Sequence, residues 1–146
     1  MCVAFSVGMQ RMMRSDLASA GITCPGEPET GQANLIYLTG SWGLSENMVQ
    51  GAVNSNEFYL FKPALRGSHR ALITQKLVGK GRIMRYAQTQ NEAATGIENT
   101  DTLSGKRAPF VLTKTVAEQL DPWCLQIEEH YDMLMDFEWP KDSLAN

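Results

Sequence analysis

The chain has 146 residues, and 13 Lys and Arg against 16 Asp and Glu give a formal net charge of -3. Hydrophobic residues make up 43% of the chain and charged residues 20%, which favours a folded domain over a disordered one. The length suits a single domain with a genuine core. A mildly acidic chain is not a general binder of nucleic acids or membrane surfaces.

The cysteine pattern predicts a reducing compartment. Cys2, Cys24 and Cys124 are odd in number and widely spaced, so they match neither a disulfide framework nor a zinc site. Met1–Met13 has no basic start and no small-residue cleavage site, and no apolar run approaches the roughly 18 residues that cross a bilayer. We therefore expect a cytoplasmic protein without a signal peptide or a membrane span.

The first half of the chain is predicted to hold strands separated by a loop rich in glycine and proline. A short helix is predicted over Ser45–Gln50, with Ser45 as its N-cap and an acid in its first turn. The predicted strands are Val3–Met13, Asn34–Thr39 and Glu57–Lys62, and the predicted loop covers Ala20–Gln32.

The second half continues with further strand patterns. Ala71–Val78 and Arg82–Gln88 are predicted as strands joined by Gly79-Lys80-Gly81 in a hairpin-like turn. Asn91–Pro109 is polar and predicts an exposed loop, and Leu134–Trp139 predicts a last strand.

One long helix is predicted between these last two segments. Thr113 or Thr115 opens it, Thr115 and Glu118 form a possible capping box, and Pro122 either kinks the helix or marks its first turn. With five or six strands, this predicts an α+β fold with a mostly antiparallel sheet and one long covering helix. The expected apolar stripe of that helix is Val116, Leu120, Trp123, Ile127, Tyr131 and Leu134.

Two acids in the last predicted strand are candidates for metal chemistry. Asp136 and Glu138 are two residues apart, so both carboxylates lie on one face of a strand, a spacing suited to a hard cation such as Mg²⁺. An Asp-x-Glu pair is more often a solvated strand face, and by pattern alone that interpretation is favoured. A glycine-rich turn over Thr39–Glu46 matches no nucleotide-binding fingerprint and is interpreted as structural.

Positive charge is concentrated in the middle of the chain. Between Phe58 and Asn91 there are seven Lys or Arg residues and no acid. The 62–85 stretch could therefore serve a non-catalytic module that binds RNA or an acidic partner. Apart from Tyr86, which directly follows it, the stretch lacks interleaved exposed aromatic residues. Base stacking on a single strand therefore has little support, and nucleic acid is an unlikely partner. A solvated face is the simpler interpretation.

Several segments, taken in order along the chain, closely resemble the ATP-binding region of the phosphoenolpyruvate synthase (pyruvate, water dikinase) family. They cover nearly the whole sequence and end on Met-Asp-Phe-Glu-Trp-Pro-Lys-Asp. The matching segments are Ser6–Gly21, Ser41–Asn54, Glu57–Pro63, Ile127–Tyr131 and Met135–Asp142.

The resemblance implies part of an ATP-grasp fold that binds ATP and Mg²⁺, with residues 1–146 as one partial domain. It places Gln10, Met12 and Met13 at the adenine pocket, and Asp136 and Glu138 near Mg²⁺ and the phosphates. The family's reaction converts ATP, pyruvate and water to phosphoenolpyruvate, AMP and phosphate. The family's other subdomain and its histidine domain are not in this sequence, so we expect the isolated chain to be inactive and the remainder to be a possible separate chain. A remnant without any ligand is the third alternative.

Overall fold

The computed structural model describes residues 4, 6–67, 69–87 and 96–142, which form an α+β fold. The strands are β1 (Ser19–Cys24), β2 (Leu35–Trp42), β3 (Asn56–Phe61), β4 (Leu72–Lys76), β5 (Arg82–Tyr86), β6 (Ile97–Asp101) and β7 (Phe137–Lys141). The helices are α1 (Glu46–Val49), α2 (Lys62–Arg66), α3 (Ser104–Arg107) and α4 (Lys114–Tyr131), and a 3-10 turn covers Ser15–Leu17.

The strands form two antiparallel sheets. The larger has the order β4-β3-β2-β1-β7, and β5 and β6 form a separate two-stranded ribbon. The predicted α+β class, with a mostly antiparallel sheet and a long helix, is confirmed. In the described part of the chain, no helix is long and apolar enough to span a membrane.

The hydrophobic core lies between α4 and one face of the large sheet. Ile36, Leu38, Phe58 and Leu60 are fully buried there. Because side chains alternate along a strand, the residues between them on β2 and β3 point to the opposite side. We call that opposite side of the five-stranded sheet the open face.

The long helix begins after Thr113, which is one of the two predicted N-cap residues. The Thr113 hydroxyl accepts a hydrogen bond from the Val116 backbone N–H at 3.3 Å, so Thr113 is the N-cap and the Thr115 capping box is not used. Pro122 lies inside the helix, which continues to Tyr131.

The predicted apolar stripe of α4 is right for Val116 and Leu120, which pack in the core, but wrong further along the chain. Trp123 and Tyr131 are each 57% exposed, and Leu134 lies beyond the end of the helix. The buried face is rotated relative to the predicted stripe, because apolar spacing alone does not fix which part of a broad stripe contacts the sheet. The buried helix residues are Ala117, Leu120, Asp121 and Cys124.

The first predicted strand is also wrong. Residues 6–14 have no regular secondary structure, and residues 1–3 and 5 lie outside the described residues. A strand forms instead at Ser19–Cys24, which begins before and continues into the predicted loop Ala20–Gln32. It was missed because its small and polar residues lack an apolar alternation, although it pairs with strands on both sides.

The predicted hairpin around Gly79-Lys80-Gly81 does not form. β4 belongs to the large sheet and β5 to the ribbon, so the two strands do not pair. Lys80 is fully buried, and its Nζ donates to Asn56 Oδ1 at 3.0 Å and to the Val78 carbonyl at 3.1 Å. The Lys80 side chain therefore reaches the interior, while Gly79 and Gly81 stay exposed, where the chain crosses between the sheets and a hairpin-like turn was expected.

The predicted loop Asn91–Pro109 contains regular structure. Ile97–Asp101 forms β6 and Ser104–Arg107 forms α3, while residues 91–95 lie outside the described part. Four of the five β6 residues are exposed, so the strand has no apolar pattern for the sequence to reveal.

Candidate functional site

One row of paired residues crosses all five strands on the open face. Glu138 pairs with Ile22, Ile22 with Thr39, Thr39 with Glu57, and Glu57 with Lys76. Glu57 and Glu138 are three strand spacings apart, on the order of 14 Å. At the β4 end, Lys76 Nζ contacts Glu57 Oε1 at 3.3 Å, so Glu57 has a cationic partner.

Glu138 lies at the other end of this row and lines a cleft of about 400 Å³. Its Oε2 accepts a hydrogen bond from the Ser45 hydroxyl at 2.9 Å. Ser45 was predicted to cap α1, but it makes no capping hydrogen bond because its side chain is directed to Glu138. The cleft is lined by Ser15, Ala20, Leu44, Ser45, Glu46, Tyr86, Ile97, Glu138, Trp139 and Pro140.

The cleft exists because the ribbon covers one end of the open face. Gly43 forms a parallel bridge with Met84, and the Leu44 N–H donates to the Met84 carbonyl at 3.0 Å. Gly43 has a φ of +85°, and a Cβ there would collide with Met84. The glycine-rich turn is thus explained by this close approach of two backbones.

Asp136 lies one residue before β7 and lines a different cavity from Glu138. That cavity, of about 230 Å³, includes Cys24, Glu27 and Leu134. Burial raises the pKa of the Cys24 thiol to about 11, and the neighbouring Asp136 carboxylate contributes. Both acids are exposed, as predicted, but the structure directs Asp136 toward Cys24 and Glu138 toward Ser45.

The three residues expected at an adenine pocket have different surroundings. Gln10 is exposed. Met12 lies near the Glu138 cleft, since the Tyr86 hydroxyl contacts its sulfur at 3.7 Å and Tyr86 lines that cleft. Met13 lines another cavity of about 230 Å³ on the α4 side of the molecule, together with Trp123.

Arg14 and Tyr86 hold the segment that contains these residues, and the sequence did not identify that role. Arg14 forms two hydrogen bonds to the Asp16 carboxylate, at 2.8 and 2.9 Å, and its guanidinium lies 6.0 Å from the centre of the Tyr86 ring. The hydrogen bonds from Arg14 lower the pKa of Asp16, which is buried. The arginine followed by Ser-Asp is a signal that could have been recognised as a local ion pair.

The lining of the Glu138 cleft is acidic. It contains Glu46 and Glu138, and none of the described residues that line it is Lys or Arg. No group of three or more His, Cys, Asp or Glu side chains in the described ranges could hold a metal ion alone. Protein-bound Mg²⁺ commonly uses one or two carboxylates and takes its other ligands from phosphates and water, so this donor set fits a nucleotide-bound Mg²⁺.

Comparison with known proteins gives the family. The model for "Pyruvate phosphate dikinase, AMP/ATP-binding domain" matches residues 1–146. The chain belongs to this family. The predicted resemblance is confirmed by similar proteins named phosphoenolpyruvate synthase: 41% identity with the Escherichia coli protein over 96% of this chain, and 39% with that of Neisseria meningitidis over 97%.

The similarity extends to a more distant relative. The "probable phosphoenolpyruvate synthase" of Pyrococcus abyssi is 28% identical over 96% of this chain. This member of the pyruvate phosphate dikinase AMP/ATP-binding family spans only 18% of the length of the Escherichia coli protein and 16% of the Pyrococcus abyssi protein.

Proposed function

We propose that this chain binds ATP through a Mg²⁺ ion at the Glu138 cleft, as part of an ATP-grasp nucleotide site. The observation that carries the proposal is an exposed carboxylate, oriented by the Ser45 hydroxyl, in a cleft on the side of the sheet away from the core. The family match supports the choice of ATP.

The charge of the cleft explains why a cation is needed. Glu46 and Glu138 would repel a triphosphate, and the described lining residues offer no cationic side chain to offset this. Glu138 would hold a divalent ion, and the chemistry that such an ion would supply is neutralisation of charge on the phosphates. Asp136, two residues earlier, is the proposed second carboxylate, and to share the ion its side chain would have to turn from Cys24 toward Glu138.

The adenine end is proposed to lie along the segment that contains Gln10 and Met12. Met12 is the member of this set whose contact with Tyr86 connects it to the cleft. Met13 faces the α4 side, so its proposed part is to hold the segment in place against Trp123 and its neighbours.

The whole protein of which such a domain forms part is proposed to carry out the phosphoenolpyruvate synthase reaction, in which ATP, pyruvate and water give phosphoenolpyruvate, AMP and phosphate. We propose that the chain needs the remaining elements of such an enzyme as partners for this reaction, because phosphoryl transfer depends on positioning and charge stabilisation from several elements. A cytoplasmic location remains a prediction.

The alternative of a basic binding module receives no support from the arrangement of its residues. Lys62 and Lys80 are buried, and Lys76 is paired with Glu57. The positive charges of the 62–85 stretch therefore do not form one continuous exposed face.

Ligand-dependent thermal unfolding tests the proposal. ATP with Mg²⁺ is expected to raise the unfolding midpoint, while ATP with a chelator is not, because only a ligand of the folded state stabilises it. Glu138→Gln should abolish the Mg²⁺-dependent rise, and Glu129→Gln, an exposed position of α4, should retain it. An equal rise in the Glu138→Gln variant, or none in the unaltered chain at millimolar ATP, would refute the proposal and favour a remnant without a ligand.

A further inference from the structure

A carboxylic acid lies in the contact between α4 and the sheet. Asp121 is 1% exposed and belongs to the buried face of α4, between Leu120 and Cys124. Both of its carboxylate oxygens are buried, and neither has a hydrogen-bond partner among the described residues. An ionised carboxylate in such a place loses its hydration without replacement, which disfavours the ionised form.

The groups around Asp121 do not compensate a negative charge. Glu118 lies one turn earlier on the same helix and adds repulsion. One turn later, burial raises the pKa of the Cys124 thiol to about 12, so that thiol stays neutral. The cation of α2 nearest to Cys124 is Lys62, and its Nζ is engaged by Glu128 at 2.7 Å and the Pro25 carbonyl at 2.8 Å.

The strands beneath the helix contribute apolar side chains. Ile36, Leu38, Phe58 and Leu60 form this surface, and all are fully buried. The neutral form of Asp121 is therefore the form that is compatible with close packing.

We propose that Asp121 is a proton-dependent lock on α4: its protonated carboxyl allows the helix to pack against the sheet, and loss of the proton loosens the helix. This effect of Asp121 protonation is independent of the proposed nucleotide site, and its test needs no ATP.

The direction of the pH effect follows from the burial. Burial, with a smaller contribution from Glu118, raises the pKa of Asp121 from 3.8 to about 7. The folded state then holds a proton that the unfolded chain releases, so stability is highest at low pH and falls as pH rises toward 7. Between pH 5.5 and 8.5 the ratio of unfolded to folded chain should rise ~30-fold from this group alone.

Two measurements test the lock. In the unaltered chain, the ¹³C resonance of the Asp121 carboxyl should titrate near pH 7, and amide exchange in α4 should accelerate more than exchange in β2 across that range, beyond the intrinsic effect of pH. In Asp121→Asn the ~30-fold change should disappear, because the amide does not ionise. Glu129→Gln, an exposed acid of the same helix, should behave like the unaltered chain.

A carboxyl titration near pH 4 would overturn the proposal. So would an α4 whose exchange relative to β2 does not change between pH 5.5 and 8.5, since ionised Asp121 would then have found a partner. The titration uses the unaltered chain, so the proposal stays testable if the variant does not fold.

Discussion

The aromatic ring of Trp139 requires glycine at two neighbouring positions of the sheet. Its indole lies over Gly21 on β1 and Gly40 on β2, and a Cβ at either glycine would collide with it. The same ring is 5% exposed and belongs to the core under α4. Trp139 and Glu138 are adjacent in β7, so the packing of the indole on one face fixes the position of the carboxylate on the other.

Gly40→Ala should destabilise the chain by about 1–3 kcal/mol, the usual cost of adding volume to a packed core. The new Cβ would lie 2.7 Å from Val111 Cγ2 and 3.1 Å from the Trp139 ring. Unfolding in urea measures this change. Gly79→Ala is the matched control, because a Cβ at Gly79 meets nothing within 4 Å, and its stability should stay within about 0.5 kcal/mol. Equal stabilities of the two variants would contradict this account of the packing.

Helix α4 is tied to the rest of the molecule by a buried ion pair as well as by apolar packing. Lys62, at the start of α2, is 3% exposed and bonds both Glu128 of α4 and the Pro25 carbonyl that follows β1. One side chain thus joins three elements that are distant in sequence. At the level of the element, a single buried lysine therefore helps to hold α4 in its position against the core.

Lys62→Met should destabilise the chain by about 2–4 kcal/mol, because it leaves Glu128 and the Pro25 carbonyl without their partner while retaining most of the side-chain volume. Lys76→Met is the comparison. Its ion pair with Glu57 involves a lysine side chain that is 66% exposed, so the loss should be below about 1 kcal/mol. Denaturant titration of both variants gives the two free energies of unfolding, and a larger loss at Lys76 would show that burial does not determine the strength of these pairs.

At the scale of the whole molecule, the two faces of the five-stranded sheet have different surroundings. One face is covered by α4 and supplies stability, and the open face presents Glu138 and Glu57. The ribbon covers only one end of the open face, where the Glu138 cleft is formed. The proposed metal–nucleotide site would lie on this acidic surface, and the described lining of the cleft contains no cation for the phosphates.

The isolated chain is therefore expected to show no turnover. Incubation with ATP, Mg²⁺ and pyruvate should give no phosphoenolpyruvate above the level without protein, because the described lining of the cleft has no cationic side chain to stabilise the charge of a transferring phosphoryl group. A full-length phosphoenolpyruvate synthase assayed in parallel serves as the positive control. Sustained phosphoenolpyruvate formation by this chain alone would show that it holds a complete site.

Elements with a strong local signal were predicted close to where they occur. β2, β3 and α1 lie within three residues of their predicted bounds, and the Thr113 alternative for the helix start is confirmed. β7 begins three residues later than predicted, so Asp136 precedes it. The placement of Asp136 and Glu138 at the proposed ligand site stays a prediction.

The sequence by itself determined the family, the α+β class and the alternation that separates Glu138 from Trp139, because these depend on local pattern and on motifs. The tertiary structure decided that Ser19–Cys24 is a strand, that α4 packs through Ala117 and Asp121 rather than Trp123, and that Lys80 is buried. These features depend on partners far away in the chain: a strand of small residues is stabilised by its neighbours and by the indole above Gly21, and burial of a charged side chain depends on whether distant residues enclose it.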